Sequence, residues 1–186
     1  MFALNVPNLL TLLRILLVPV LVVALLDATP SGDLLAAIVF AVASLTDWVD
    51  GWWARSRNTI TTFGKLMDPI ADKLLVIAAL VVLVSLHRLA AWVAMVIIAR
   101  ELAVTMTRMA AGGQGVIIAA NWSGKIKTAV QVAAIFFLIA MKPTPVWVDV
   151  LVYVAVAVTI VSGVDYFFGL RRQLSERVPS SREPAA

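Results

Sequence analysis

The stretch Asp47-Trp-Val-Asp50-Gly51-Trp-Trp-Ala54-Arg55 continues as Ser56-Arg-Asn-Thr-Ile-Thr61-Thr-Phe-Gly64-Lys-Leu-Met-Asp68-Pro-Ile-Ala-Asp72 and sets four carboxylates into a chain with only 11 acids among 186 residues. Around it the sequence is strongly apolar, with 62% hydrophobic and 14% charged residues and a mean hydropathy of +0.98. A soluble domain holds roughly 45–50% apolar residues, so the chain reads as an all-α integral membrane protein. Cysteine is absent and His87 is the one histidine, which excludes disulfides, thiolate metal sites and a cysteine nucleophile. Any chemistry must come from carboxylates, hydroxyls or bound ions.

Outward from the acidic stretch, six apolar segments follow one another, at about residues 9–26, 34–53, 70–86, 89–107, 124–141 and 146–169. Each is near the ~20 residues that cross hydrocarbon, so six transmembrane helices are predicted. Asp27-Ala-Thr-Pro-Ser-Gly-Asp33, Gly112-Gly-Gln-Gly115 and Lys142-Pro-Thr-Pro145 supply turn signals between segments. Arg55, Arg57, Lys65, Arg108, Lys125, Lys127, Arg171, Arg172, Arg177 and Arg182 fall on one set of connections and the tail, whereas the other set carries only Arg88 and Lys142. The positive-inside rule makes the first set cytoplasmic. A multi-pass protein of the cell membrane with both termini and the active site facing the cytoplasm is expected. Its first apolar segment is read as a retained helix, residues 112–121 as an interfacial segment, 1–174 as one membrane domain and 175–186 as a disordered polar tail. The net charge of +4 gathers at segment ends rather than in a stripe, so nucleic-acid binding is not expected. Trp48, Trp52, Trp53, Trp92, Trp122 and Trp147 read as an interfacial belt and His87 as an interfacial polar residue.

Asp47 and Asp50 are three apart near the end of the second segment, and Asp68 and Asp72 four apart at the start of the third, so each pair shares one helix face. A short connection makes the two helix ends neighbours. Converging carboxylates repel one another and are costly in a membrane, at about 2.5 kcal/mol or more each, so they call for cations. Two divalent cations balance four negative charges, and an all-oxygen set favours Mg²⁺ or Mn²⁺. Such a metal pair suits phosphoryl transfer, with Asp72, a turn deeper than Asp68, better placed to take a proton from an attacking hydroxyl. Gly51, Ala54 and Gly64 leave space for a planar group or serve close helix packing. Arg55 either binds diphosphate oxygens or marks the cytoplasmic helix end.

From Asp47 to Asp72 the sequence fits D-x2-D-G-x2-A-R-x8-G-x3-D-x3-D at every fixed position, the signature of the CDP-alcohol phosphotransferase family, which it therefore resembles. The resemblance implies a six-helix homodimer that binds two divalent cations through Asp47, Asp50, Asp68 and Asp72, with Asp72 as general base. It also implies CDP-lipid contacts at Asn8, Gly51, Ala54, Arg55, Thr61 and Gly64. Asn5-Val-Pro-Asn-Leu-Leu-Thr-Leu-Leu-Arg14, Arg100-Glu-Leu-Ala-Val-Thr105 and Gly124-Lys-Ile-Lys-Thr128 look like the branch that joins CDP-diacylglycerol and glycerol 3-phosphate into phosphatidylglycerophosphate and CMP. Met106-Thr107-Arg108 stands where that branch usually has Gly-Leu-Arg, and Asn121-Trp-Ser where it usually has Ser-Trp-Leu.

An acceptor phosphate needs bases, and Arg100, Arg108, Lys125 and Lys127 are the candidates; Arg100 also reads as the partner of Glu101 within the membrane. Arg14 either snorkels or points inward, and Asp165 reads as a helix-end contact. Other acceptors, namely phosphatidylglycerol, inositol phosphate or serine, keep the same donor and metals. A metal-ion transporter would spread acids through the membrane depth, whereas these are grouped toward one face.

Overall fold

The computed structural model describes the backbone of residues 6–57, 62–113 and 122–177, and side chains within them except at 6–8, 47–57, 62–69, 72, 111–113, 122–123, 170 and 172–177. These residues form six helices: α1 (Val6–Leu26), α2 (Pro30–Arg57), α3 (Thr62–Ser85), α4 (Ala91–Gly113), α5 (Trp122–Ala140) and α6 (Val146–Arg177). Each apolar segment falls on a helix to within two residues at its ends, and every helix also extends beyond its segment at one end or both, because hydropathy marks the apolar length while capping chemistry sets where a helix begins. Thr29 caps α2, its Oγ1 accepting from the Gly32 N–H at 3.0 Å, and Pro30 occupies the first helical position, where its missing N–H costs nothing. The second helix therefore starts at Pro30 rather than near residue 34. α6 runs to Arg177, past the expected start of a disordered tail at Ser175; residues 178–186 and 114–121, the latter including most of the expected interfacial segment, lie outside the described residues.

The tight α1–α2 corner depends on Gly32. A Cβ there would meet the Ala24 carbonyl oxygen at 2.5 Å, so any larger residue would force the two helix ends apart. α3 ends on His87, whose backbone takes φ 58°. Arg88 N–H bonds to Leu83 O at 2.9 Å and His87 N–H to Val84 O at 3.0 Å, the paired bonds of a Schellman stop. His87 thus has a backbone role beyond that of an interfacial side chain.

Arg88 gathers the three short connections at one end of the bundle. Its Nη1 donates to Asp33 Oδ1 at 2.6 Å, and its Nη2 donates to the carbonyls of Leu138 at 2.6 Å and Ile139 at 2.9 Å. The start of α2, the α3–α4 turn and the end of α5 are thereby tied together, with a cation on the carbonyl-rich terminus of α5. The helices alternate in direction from this end. The last turns of α2, α4 and α6 and the first turns of α1, α3 and α5 consequently lie at the opposite end.

Within the bundle α1 packs on α2 and α3, α5 on α6 and α2, and α4 on α6 and α3. Buried Ala36, Ala37, Ala43, Ala79, Ala94, Ala134 and Ala155 bring the backbones close around Leu21, Leu25, Phe40, Leu80, Leu83, Leu138 and Ile139, the small-residue packing that replaces water exclusion in lipid. The outer surface is as apolar as the core, and several polar side chains lie inside. Arg14, Glu101, Lys127, Gln131, Thr159 and Ser162 are buried, while Leu12, Leu16, Val20, Val23, Val150, Val154, Val161, Val164 and Phe168 are exposed. An outer surface so apolar is suited to hydrocarbon contact. Among the described residues two helices, through Leu9–Leu26 and Val146–Gly169, are long and apolar enough to cross a membrane, and Pro30–Thr46 and Lys73–Ser85 are shorter apolar stretches.

Candidate functional site

Asp47 and Asp50 occupy the closing turns of α2, which ends at Arg57, and Asp68 and Asp72 the opening turns of α3, which begins at Thr62. With a rise of 1.5 Å per residue, Asp50 lies about 10 Å back from the end of α2 and Asp68 about 9 Å into α3. Asp47 and Asp72 both lie about 15 Å from those same ends. The two pairs therefore match in depth on helices that contact each other. Gly51, Ala54 and Arg55 share the α2 segment, Gly64 the α3 segment, and Asn8 the first turn of α1; the side chains at these positions and all of Thr61 lie outside the described residues. All four acids of this stretch are carboxylates, the donor type that suits hard divalent cations.

Arg108 near the end of α4 and Lys125 at the start of α5 are exposed at this same end. Arg100 lies two turns deeper and Lys127 is buried. Both of these engage Glu101, a carboxylate only 2% exposed. Glu101 pairs with Lys73 of α3 at 2.8 Å, with Arg100 at 3.6 Å, and with Lys127 of α5. Three helices thus deliver a cation each to one acid on α4. Arg100 Nη2 also donates to Ser162 Oγ of α6 at 2.7 Å, and Arg108 lies over the ring of Tyr166, its Cζ 5.5 Å from the centroid.

Of the bases expected at an acceptor phosphate, Arg100, Arg108 and Lys125 are at least partly open to solvent, while Lys127 is turned inward onto Glu101. The sequence reading paired Arg100 with Glu101, and the structure makes that pair one arm of a larger network. It did not anticipate Lys73, Ser162 or Tyr166. An acid in the middle of an apolar span is itself the signal that marks Glu101, since such a residue must find partners on other helices. Arg14 is buried rather than snorkelling, and Asp165 is exposed. The Met106-Thr107 departure falls away from this network: Met106 is 65% exposed and Thr107 Oγ1 bonds to Ala103 O of its own helix at 2.6 Å.

The sequence profile of the CDP-alcohol phosphatidyltransferases matches residues 4–161. The chain is 43% identical over 181 residues to a Bacillus subtilis (strain 168) protein named CDP-diacylglycerol--glycerol-3-phosphate 3-phosphatidyltransferase, covering 88% of this chain and 93% of the relative. It is 38% identical over 182 residues to the Escherichia coli (strain K12) protein of the same name, covering 93% and 98%. A Mycobacterium tuberculosis (strain ATCC 25618 / H37Rv) protein named probable phosphatidylglycerophosphate synthase is 42% identical over 167 residues, covering 87% and 79%.

Proposed function

The chain belongs to the CDP-alcohol phosphatidyltransferase family, and from that premise we propose that it transfers the phosphatidyl group of CDP-diacylglycerol to glycerol 3-phosphate in phospholipid biosynthesis, releasing CMP. What supports the reading is that the helix positions of the two aspartate pairs fall at the same end of the bundle as a group of bases on α4 and α5. Acids alone would serve a metal-bound pyrophosphate with any acceptor. The bases favour an acceptor that is itself phosphorylated.

Asp47, Asp50, Asp68 and Asp72 would hold divalent cations, Mg²⁺ or Mn²⁺, which when bound neutralise charge on the pyrophosphate of the donor. Gly51, Ala54, Arg55, Thr61, Gly64 and Asn8 form the CDP pocket in this reading. Arg100, Arg108 and Lys125 draw in the acceptor phosphate, with Lys127 behind them holding Glu101. Asp72 takes the proton of the glycerol hydroxyl. The freed oxygen forms a bond to the lipid-bearing phosphorus, and the bond from that phosphorus to the oxygen of CMP breaks, the electron pair leaving with CMP. All six helices cross the membrane, with the site at the cytoplasmic end, so that an acyl-bearing donor arrives from the lipid and a soluble acceptor from below. A homodimer is part of the same reading.

The test is CMP release and product identification with purified protein, CDP-diacylglycerol and Mg²⁺ or Mn²⁺, offering glycerol 3-phosphate, inositol phosphate, serine and phosphatidylglycerol separately. Turnover specific to glycerol 3-phosphate is expected. Turnover with a different acceptor would overturn the assignment of the bases while keeping that of the acids.

A further inference from the structure

Three residues on one face of α6 are shaped around the two arginines of α4. Ser162, Gly163 and Tyr166 stand at i, i+1 and i+4, and all are buried. α4 and α6 pack together and run in the same direction, so Arg100 meets Ser162 and Arg108, farther along α4, meets Tyr166 farther along α6. Gly163 is the clearance for the first of these. A Cβ there would stand 3.3 Å from Arg100 Cγ, tighter than ordinary packing.

Two polar atoms in this seat are unpaired among the described residues. The Tyr166 hydroxyl is buried, on a residue only 6% exposed, and meets no hydrogen-bond partner among them; Arg100 Nε is likewise buried without one there. A buried hydroxyl left unpaired is costly, and Phe would fill the same space beneath Arg108 without that cost. The oxygen therefore has a role beyond packing. Its neighbours define the chemistry of what it meets: the guanidiniums of Arg100 and Arg108, with Glu101 already engaged by Lys73 and Lys127. That is the surrounding of a phosphate or similar oxyanion, which accepts hydrogen bonds from all three groups.

We propose that Tyr166 is a specificity-determining residue of the acceptor subsite, its hydroxyl donating to the acceptor's phosphate between Arg100 and Arg108, with Ser162 and Gly163 positioning Arg100. The inference rests on the reading above that the acceptor is phosphorylated.

Tyr166→Phe tests it with the least disturbance to packing. The KM for glycerol 3-phosphate and the inhibition constant of inorganic phosphate are measured alongside the KM for CDP-diacylglycerol, kcat and the thermal midpoint in detergent. One hydrogen bond to a charged group predicts a rise of about tenfold or more in the first two, with the donor KM and kcat within about twofold and the midpoint unchanged or raised. An unchanged KM for glycerol 3-phosphate in a wild-type background that uses it would overturn the proposal. So would a rise confined to the donor KM, or a shift of every parameter together with a lowered midpoint. If the wild-type protein proves to use an acceptor other than glycerol 3-phosphate, the acceptor reading fails first. Phosphate inhibition then decides on Tyr166 separately: a weakened inhibition sustains an anion contact, and an unchanged one rejects it.

Discussion

Arg88→Met removes one guanidinium that ties three helix ends. Arg88 and Asp33 side chains are 8% and 7% exposed and meet at 2.6 Å, and the same guanidinium satisfies two terminal carbonyls of α5. Methionine retains much of the apolar stem but leaves Asp33 a buried, unpaired carboxylate. Breaking such a pair from one side costs about 3–5 kcal/mol. At about 2–4 °C per kcal/mol for a chain of this size, the thermal midpoint in detergent should fall by roughly 6–20 °C. Asp33→Asn with Arg88→Met removes both charges, so the double variant should regain about 2 kcal/mol relative to the sum of the singles. Activity per folded molecule should not change, because Arg88 lies beyond the end of α3, itself about 20 Å along that helix from Asp72. The assay is a double-mutant cycle of midpoints with kcat and both KM values measured well below each midpoint. A fall of less than about 2 °C for Arg88→Met, or strict additivity across the cycle, would refute the view that this contact clamps the closed end.

Asp72→Asn should leave the midpoint near that of the wild type and lower kcat by a factor of about 10²–10⁴, the usual worth of a general base; well-folded variant with near-normal turnover would sink the assignment. Chelation by EDTA should abolish CMP release and added Mg²⁺ or Mn²⁺ restore it, read in the same assay. Glu101→Gln should lower the midpoint, since it removes the buried charge that Lys73, Arg100 and Lys127 share, and Glu101→Gln with Lys127→Met should recover stability without restoring the KM for glycerol 3-phosphate, because Arg100 and Lys73 have still lost their contact with that charge. Since the chain has no cysteine, single cysteines report topology directly. Lys142→Cys should react with an impermeant maleimide in intact cells, and Ser175→Cys only after the membrane is opened; the reverse labelling would invert the orientation.

The six helices were legible because each apolar segment is long, and the acidic signature was legible because its spacing is local. Boundaries were less so, although Thr29-Pro30 carries the cap and first-position signal that places the start of α2. What the sequence did not disclose is which charge meets which. Asp33 reads as a turn residue and Arg88 as a stray base, yet they are partners across 55 positions. Lys127 reads as a phosphate ligand because the positive-inside rule assigns it to the cytoplasmic side, yet packing of α5 against the bundle turns it to Glu101. Tyr166 has no motif around it. Its interest comes only from the α4–α6 contact that buries its hydroxyl, and such pairings depend on interhelical register that hydropathy does not encode.

The junction between the two halves of the proposed site falls between adjacent residues of α3. Asp72 belongs to the acidic signature, and Lys73 reaches Glu101 at 2.8 Å and so belongs to the basic network. Successive positions on a helix are about 100° apart, so α3 presents one edge to each. A general base that must take a proton from an acceptor hydroxyl while the donor is held by acids is needed at that border, and among the four aspartates Asp72 alone is adjacent in sequence to a residue of the basic network. The same placement explains why a phosphorylated acceptor suits this bundle. Its phosphate can rest among Arg100, Arg108 and Tyr166 while its hydroxyl extends toward α3, whereas an acceptor without a phosphate has nothing to set that reach.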